Sequence, residues 1–361
     1  MLSQQDLKQR DTLVERLFGA TIGALELLHV YLGDRLGLYE ALSDGPLTPA
    51  GLAATAGIDE RYAREWLEQQ AVAGILSVEQ RPDGGPERAY ALPPGHAEVL
   101  NDPDSVSFLA PMARGVVGIA AVMPEVMEAF RVGGGVQYEA YGADMRSAIA
   151  LGNRPGFLNL LGSKWFPAIV DVDRRLRAQP PARVADVGCG TGWSSIAIAN
   201  AYPMVTVDGF DLDSASIIDA RHNAAENGVA DRVQFEIRDA ADPALAKSYD
   251  LVTAFETIHD MANPVGALRA MRGLAKEGGI VIVADENVAE EFTAPGNDLE
   301  RFMYGWSAVH CLPVGMVDAG SAATGTVMRP DRLRAYARQA GFSDIEVLPV
   351  EADFWRFYRL F

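Results

Sequence analysis

The sequence predicts an α/β protein built in series: a mainly helical front module carrying a short wing, then a domain on an open, largely parallel sheet. Three observations carry this reading. After Arg183 short apolar runs alternate with helical stretches, the pattern of strands joined through crossover helices. Before residue 100 two helical stretches precede two strand-like runs around a Pro/Gly-rich turn. The first late apolar run, Val184–Val187, feeds directly into Gly188, Gly190 and Gly192, a turn whose backbone can approach a ligand closely.

Composition bounds the rest. With 361 residues and 49% hydrophobic side chains, the chain can bury more than one core. The densest apolar stretch, Val116–Met123, is far short of the roughly 20 residues that cross a bilayer, so a soluble protein without membrane contact is expected. The start of the chain lacks the basic flank and apolar core of a secretion signal, and two cysteines, Cys189 and Cys311, offer no disulfide framework. The cytoplasm is the expected compartment. Forty-nine acidic against 31 basic side chains leave a net charge of −18, which opposes the phosphate-neutralising surface that nucleic-acid binding normally uses.

Residues 1–100 form the front module. Leu13, Leu17, Ala20, Ala24, Leu27 and Tyr31 recur at helical spacing and make one apolar face, with a break expected near Gly33. Thr48 and Pro49 open a short helix that Gly57 ends. A second starts at Asp59, with Ile58, Tyr62, Trp66 or Leu67, Ala71 and Ile75 on its buried side. Ile75–Val78 and Tyr90–Leu92 then flank the turn at residues 81–86, which completes a winged helix. From Leu47 to Leu100 eight acids outnumber four arginines, so support and dimerisation are favoured over DNA reading. Residues 101–180 are expected to be a helical connector and pocket wall, with a flexible junction at Gly133-Gly-Gly.

Residues 181–361 carry the sheet. Its expected strands are Val184–Val187, Met204–Phe210, Val233–Ile237, Leu251–Phe255 and Ile280–Ala284, followed by an antiparallel hairpin of Ile345–Val350 and Trp355–Leu360. Past the second strand, Asp211 stands where a carboxylate can accept both hydroxyl hydrogens of a ribose, with Asp213 as the less favoured neighbour. Past the third, Asp239 can receive an adenine amino hydrogen while the Ala240 amide faces a ring nitrogen. Three loops on one sheet edge therefore converge on an adenosine-like ligand. A dinucleotide turn would need glycine at 193, where this chain has Trp193.

Asp186-Val-Gly-Cys-Gly-Thr-Gly, Gly209-Phe-Asp, Arg238-Asp-Ala, Tyr249-Asp-Leu-Val and Ala275-Lys-Glu-Gly-Gly together resemble the ordered motifs of class I S-adenosylmethionine-dependent methyltransferases. The resemblance implies a Rossmann-like, seven-stranded sheet with a reversed last strand and S-adenosyl-L-methionine as cofactor. Under it Gly188, Gly190 and Gly192 curve around the methionine portion, Asp211 holds the ribose, Asp239 lies near adenine and Asp186 helps orient the amino group. With its front module, the chain is similar to the actinobacterial-type members carrying an N-terminal winged helix. More distantly, it is similar to small-molecule O-methyltransferases that use such a module to dimerise.

Methyl transfer needs an aligned nucleophile opposite the sulfonium leaving group, and a base only where the acceptor begins protonated. Glu256, His259 and Asp260 follow a buried-looking strand and fall near the cofactor-bearing edge, with Glu256 a cofactor contact or strand-end cap and His259 a candidate base. The segment Tyr304-Gly-Trp-Ser-Ala-Val-His-Cys-Leu-Pro offers a second base, His310, with Tyr304 and Trp306 as candidate substrate-pocket walls. No His-Glu-x-x-His or serial Cys/His pattern is present in the sequence, so a metal-independent transfer is expected. The acceptor is expected to be a small, partly apolar molecule methylated at oxygen. The alternative is a ligand-responsive winged-helix transcription regulator with a methyltransferase-like sensor domain.

Overall fold

The protein is described from a computed structural model covering residues 2–79, 87–239 and 247–361. It divides into two compact units, one running to Gly118 and including Ser147–Gly152, the other formed by Ile119–Arg146 and Asn153–Phe361. Residues 101–180 are thus shared between the units rather than forming a separate body.

The first unit opens with a helix over Gln4–Arg35, started by a reciprocal cap in which Ser3 and Asp6 bond each other's backbone amides. The helix runs through Gly33. A side chain there would collide with the rings of Tyr39 and Trp66. The break expected near Gly33 falls instead at Gly37, which takes the left-handed conformation. Thr48 caps the helix Pro49–Ala56, which ends at left-handed Gly57, and Asp59 caps Glu60–Val72. Ala63, Trp66 and Leu67 of the second helix are buried, but Tyr62 is 74% exposed. The apolar periodicity of that helix is therefore real, with its face rotated away from residue 62. Strands β1 (Ser77–Glu79) and β2 (Ala89–Ala91) pair antiparallel, and Leu47 bridges to Tyr90 as a third rung. The wing turn at 81–86 lies outside the described residues.

In the second unit seven strands form one sheet: β3 (Arg183–Val187), β4 (Thr206–Asp211), β5 (Val233–Ile237), β6 (Tyr249–Phe255), β7 (Ala275–Glu286), β8 (Ile345–Val347) and β9 (Trp355–Leu360). Their spatial order is β5-β4-β3-β6-β7-β9-β8. β3 to β7 run parallel, and β9 runs antiparallel to both β7 and β8. The late hairpin is therefore present, with its second strand inserted beside β7 and its first at the sheet edge. β7 begins five residues before the apolar run that announces it, and β8 stops at Val347 rather than Val350.

Every residue of β6 is buried, as expected of a central parallel strand covered on both faces. One face packs Val187, Val252, Ala254, Val281 and Val283 against the helices Pro264–Leu274 and Pro330–Ala340. Because strand side chains alternate, Asp186, Thr253 and Ile282 face the other way, and these too are buried. The parallel strands end together at Val187, Asp211, Ile237, Phe255 and Glu286, which gathers all the chemistry-bearing loops at one edge.

The segment after Gly133-Gly-Gly is tied down: the Val136 amide donates to the Pro313 carbonyl at 3.0 Å. The expected flexible junction is in fact a packed one, since a side chain at Gly135 would strike the backbone at Pro313 to Val317.

Candidate active site

The turn after β3 is held by its neighbours. Gly188 donates its amide to the Phe210 carbonyl at 2.8 Å, and Asn223 Nδ2 donates to the Thr191 carbonyl at 2.9 Å. Gly190 and Gly192 have φ of +51° and +84°, the left-handed region that suits glycine. A Cβ at Gly190 would meet nothing within 4 Å, while one at Gly192 would run into the Phe235 ring. The first glycine keeps the turn open and the second lets it pack. Trp193 starts the following helix, nearly buried, with the Arg154 guanidinium 4.7 Å from its ring centroid.

Asp211 ends β4 beside this turn. Its Oδ2 accepts from the Gly190 amide at 2.8 Å and its Oδ1 from the Asp213 amide at 2.9 Å. Burial raises its pKa, and those amide donors oppose the rise. Asp213 is taken up as the cap of the helix Ser214–Glu226, which leaves Asp211 as the carboxylate at the turn. Asp239 is exposed and stands two residues beyond Ile237, the residue that pairs with Asp211. Ala240 lies outside the described residues. Asp186 is placed differently from its expected role: it is 1% exposed, and its carboxylate accepts from Ser194, Ser195 and Thr253 hydroxyls at 2.5, 2.7 and 2.9 Å. Those three bonds make it a knot between β3, β6 and the helix after the turn. The Cys189 thiol is buried, and burial pushes its pKa well above the usual range, which disfavours the nucleophilic thiolate.

The other half of the edge is a network of buried charges. Glu256 follows β6 directly with φ of +52°, rare for a residue with a side chain. Asn153 Nδ2 donates to its carboxylate. Glu256 and Glu286 meet side chain to side chain, and burial first, then their mutual repulsion, lifts Glu286 well above the ordinary glutamate range. Two carboxyls in contact disfavour double ionisation, the direction in which both are shifted.

His259 is 2% exposed, with Nδ1 2.8 Å from Asp285 Oδ1 and Nε2 3.2 Å from Asp260 Oδ1. Burial opposes its charge, but the two carboxylates outweigh burial and hold the pKa well above the usual value. Each of its nitrogens thus faces a carboxylate oxygen.

His310 differs in each respect. It too is 2% exposed, but its Nε2 has no hydrogen-bond partner, and burial lowers its pKa. Its Nδ1 lies 3.4 Å from Cys311 Sγ. Tyr141, Tyr138 and Trp306 pack edge-on around its ring with centroids 4.7, 6.1 and 6.3 Å away. Tyr138 is influenced by carboxylates of both halves. Burial raises its phenol pKa, and Asp213, Asp211 and Asp260 all add to the rise.

The segment at residues 304–313 is nearly continuous helix. Asp298–Trp306 passes into a π-helical turn, Ser307–Cys311, and then Leu312–Gly315. Trp306 and His310 share the inner side. Tyr304 is 42% exposed and contacts Phe292 and Arg329 instead, so it does not join the pocket wall proposed for it. Tyr138, Tyr141, Asn153, Asp285 and Glu286 were missed by sequence reasoning. Only the last two carried a usable signal, as acids directly after the apolar run Ile280–Ala284.

The sheet order, its reversed β9 and the glycine turn define a Rossmann-like methyltransferase fold. Residues 179–323 match the methyltransferase domain and residues 23–102 the Rv2258c-like winged HTH domain. The chain therefore carries a methyltransferase domain preceded by a winged helix-turn-helix domain.

Among curated relatives, the ubiquinone biosynthesis O-methyltransferase of Bordetella bronchiseptica is 30% identical over 161 residues, 44% of this chain and 61% of the relative. The malonyl-[acyl-carrier protein] O-methyltransferase of Halalkalibacterium halodurans is 25% identical over 115 residues, 32% of this chain and 42% of the relative. The chain spans 61% or less of the length of these relatives.

Two solved structures share the fold over nearly all of both chains. The mitomycin 7-O-methyltransferase MmcR has a TM-score of 0.70 at 18% identity, covering 98% of this chain and 99% of its own. Human N-acetylserotonin methyltransferase in complex with SAM has a TM-score of 0.69 at 17% identity, covering 100% and 99%. Among the described residues no helix is long and apolar enough to cross a membrane.

Proposed function

We propose that the protein transfers the methyl group of S-adenosyl-L-methionine to an oxygen of a small, partly apolar acceptor by direct displacement. The observation that carries this is the carboxylate of Asp211, fastened to the Gly190 amide at 2.8 Å beside a turn left open by Gly190. That is a ribose-binding carboxylate next to a close-approach backbone, and the O-methyltransferase relatives and fold neighbours support the same reading. Asp239, at the end of the adjoining strand, is the adenine contact. The aromatic set around His310 supplies apolar area for an acceptor, and the unpartnered Nε2 supplies a proton acceptor. Its lowered pKa keeps the imidazole neutral, the form a general base needs.

The test is incubation with S-adenosyl-L-methionine and a panel of phenolic and other hydroxylated acceptors, read by mass spectrometry. A product heavier by one methylene unit, formed together with S-adenosylhomocysteine, is expected. Cofactor binding without any such product across the panel would leave the sensor role in its place.

The front unit is read as a homodimerisation module. Leu13, Leu17, Phe18 and Leu25 are each more than half exposed along the Gln4–Arg35 helix, a stripe that a second copy of the same helix would cover. The helix that would read DNA has its arginines neutralised, Arg61 by Glu65 and Arg64 by Glu60 and Glu87. Sedimentation giving a dimer at micromolar concentration supports this role, and a monomer throughout would end it.

A further inference from the structure

We propose that a cleft at the far end of the sheet from the glycine turn binds a small carboxylic acid with an apolar body. The cleft, of about 320 Å³, lies where β7 begins and β9 ends, and its walls include Arg272, Lys276, Val281, Phe342, Arg359 and Leu360. That volume falls at the lower end of the roughly 300–1,000 Å³ typical of small-molecule sites.

The topology explains the grouping. β7 runs parallel to β6 and carries Asp285 and Glu286 at its other end, while β9 runs antiparallel to β7. The start of one and the end of the other therefore share the sheet edge that faces away from Asp211. The helix Pro264–Leu274 delivers Arg272 to the same edge, and Phe342 follows the helix Pro330–Ala340. Three cationic side chains from three elements thus border one depression, in a chain whose net charge is −18. Between them Val281, Phe342 and Leu360 are buried and form an apolar wall, whose further removal from water is favourable.

The cations are incompletely compensated. Asp250 serves Lys276 and also Arg175, whose Nε lies 2.8 Å away. Arg359 Nη2 stands 2.5 Å from Asp171 Oδ1, but its buried Nε finds no acceptor among the described residues. Arg272 is exposed and makes no ion pair or hydrogen bond among the described residues. It is nonetheless held in place, because its Nη1 would stand 3.1 Å from a Cβ on Gly341, at the end of the Pro330–Ala340 helix. A guanidinium presents a fork of donors that matches the two oxygens of a carboxylate. Only Arg272 is wholly uncommitted, so a single negative charge fits the set better than a phosphate dianion. The cleft shares no residue with the candidate active site, and the inference survives failure of the methyl-transfer reading.

The test titrates octanoate into the full chain by calorimetry, with octan-1-ol as the neutral counterpart and octyl phosphate as the dianion. One-to-one binding of octanoate is expected, with both counterparts weaker. Arg272→Glu, shown folded by circular dichroism, weakens octanoate binding by about tenfold or more, the effect of losing hydrogen bonds between charged partners. Arg272→Lys keeps more of the affinity, and Arg16→Glu, on the exposed front helix, leaves it unchanged. Absence of saturable octanoate binding, equal affinity for octan-1-ol or octyl phosphate, or an affinity that Arg272→Glu spares or Arg16→Glu lowers as much, overturns the proposal.

Discussion

The two halves of the functional edge are built on different principles. The half at the ends of β3 and β4 is a backbone device: left-handed glycines shape the turn, and one carboxylate, Asp211, staples it by accepting from two amides. The half at the ends of β6 and β7 is a side-chain device in which buried Glu286, His259 and Asp285 face half-buried Glu256 and Asp260. A turn of the first kind is specified within a few residues. A network of the second kind draws in Asn153 from a distant part of the chain.

If the second half carries the chemistry and the first the cofactor, substitutions should separate cleanly. His310→Gln is expected to lower the rate constant of methyl transfer by about 10²–10⁴-fold, the range for a general base, while cofactor affinity by calorimetry stays unchanged. A parallel loss of cofactor affinity would merge the two halves. Gly192→Val forces a branched side chain into left-handed backbone and against the Phe235 ring. It should cost about 2–5 kcal/mol in strain and overpacking, read by urea unfolding.

A contrasting site lies away from this edge, near the start of the sheet. Asp250 is buried and receives Arg175 Nε at 2.8 Å, the Arg183 amide at 3.0 Å and the Lys276 ammonium. Burial raises its pKa, but the three donors outweigh that and leave it below the ordinary 3.8. A lowered folded-state value means that Asp250 contributes its full stability above pH 3.8 and loses it as pH falls through the folded value. Asp250→Ala should therefore destabilise by about 1–3 kcal/mol at neutral pH. Thermal melts should show the gap to wild type closing in acid, with cofactor affinity unaffected. A gap constant down to the acid limit would contradict the assignment.

These contrasts also govern what the sequence makes legible. The seven strands, the helix caps at Thr48 and Asp59, and Asp211 beside its turn follow from local patterning, because apolar runs, cap residues and glycines act within a few positions. Tyr304 misled because exposure depends on which side of the Asp298–Trp306 helix faces the sheet, and aromatic content alone does not say. His259 and His310 look alike in sequence, each a histidine in a short polar stretch. The difference between them is a matter of partners: two carboxylates at one, aromatic rings and an unpartnered nitrogen at the other. Asp186 reads as a ligand-facing acid only until three hydroxyls, one of them from Thr253 on the neighbouring strand, claim its oxygens.

The central claim is that Asp211 and the glycine turn beside it hold an adenosine-containing sulfonium, and calorimetric titration of S-adenosyl-L-methionine into wild type and Asp211→Ala tests it most directly. Losing hydrogen bonds from ribose to a charged acceptor should weaken binding by about 1.5–3 kcal/mol, read beside the melting profile of each protein because the substitution also unpairs the Gly190 and Asp213 amides. Equal affinity in the two proteins would contradict the account.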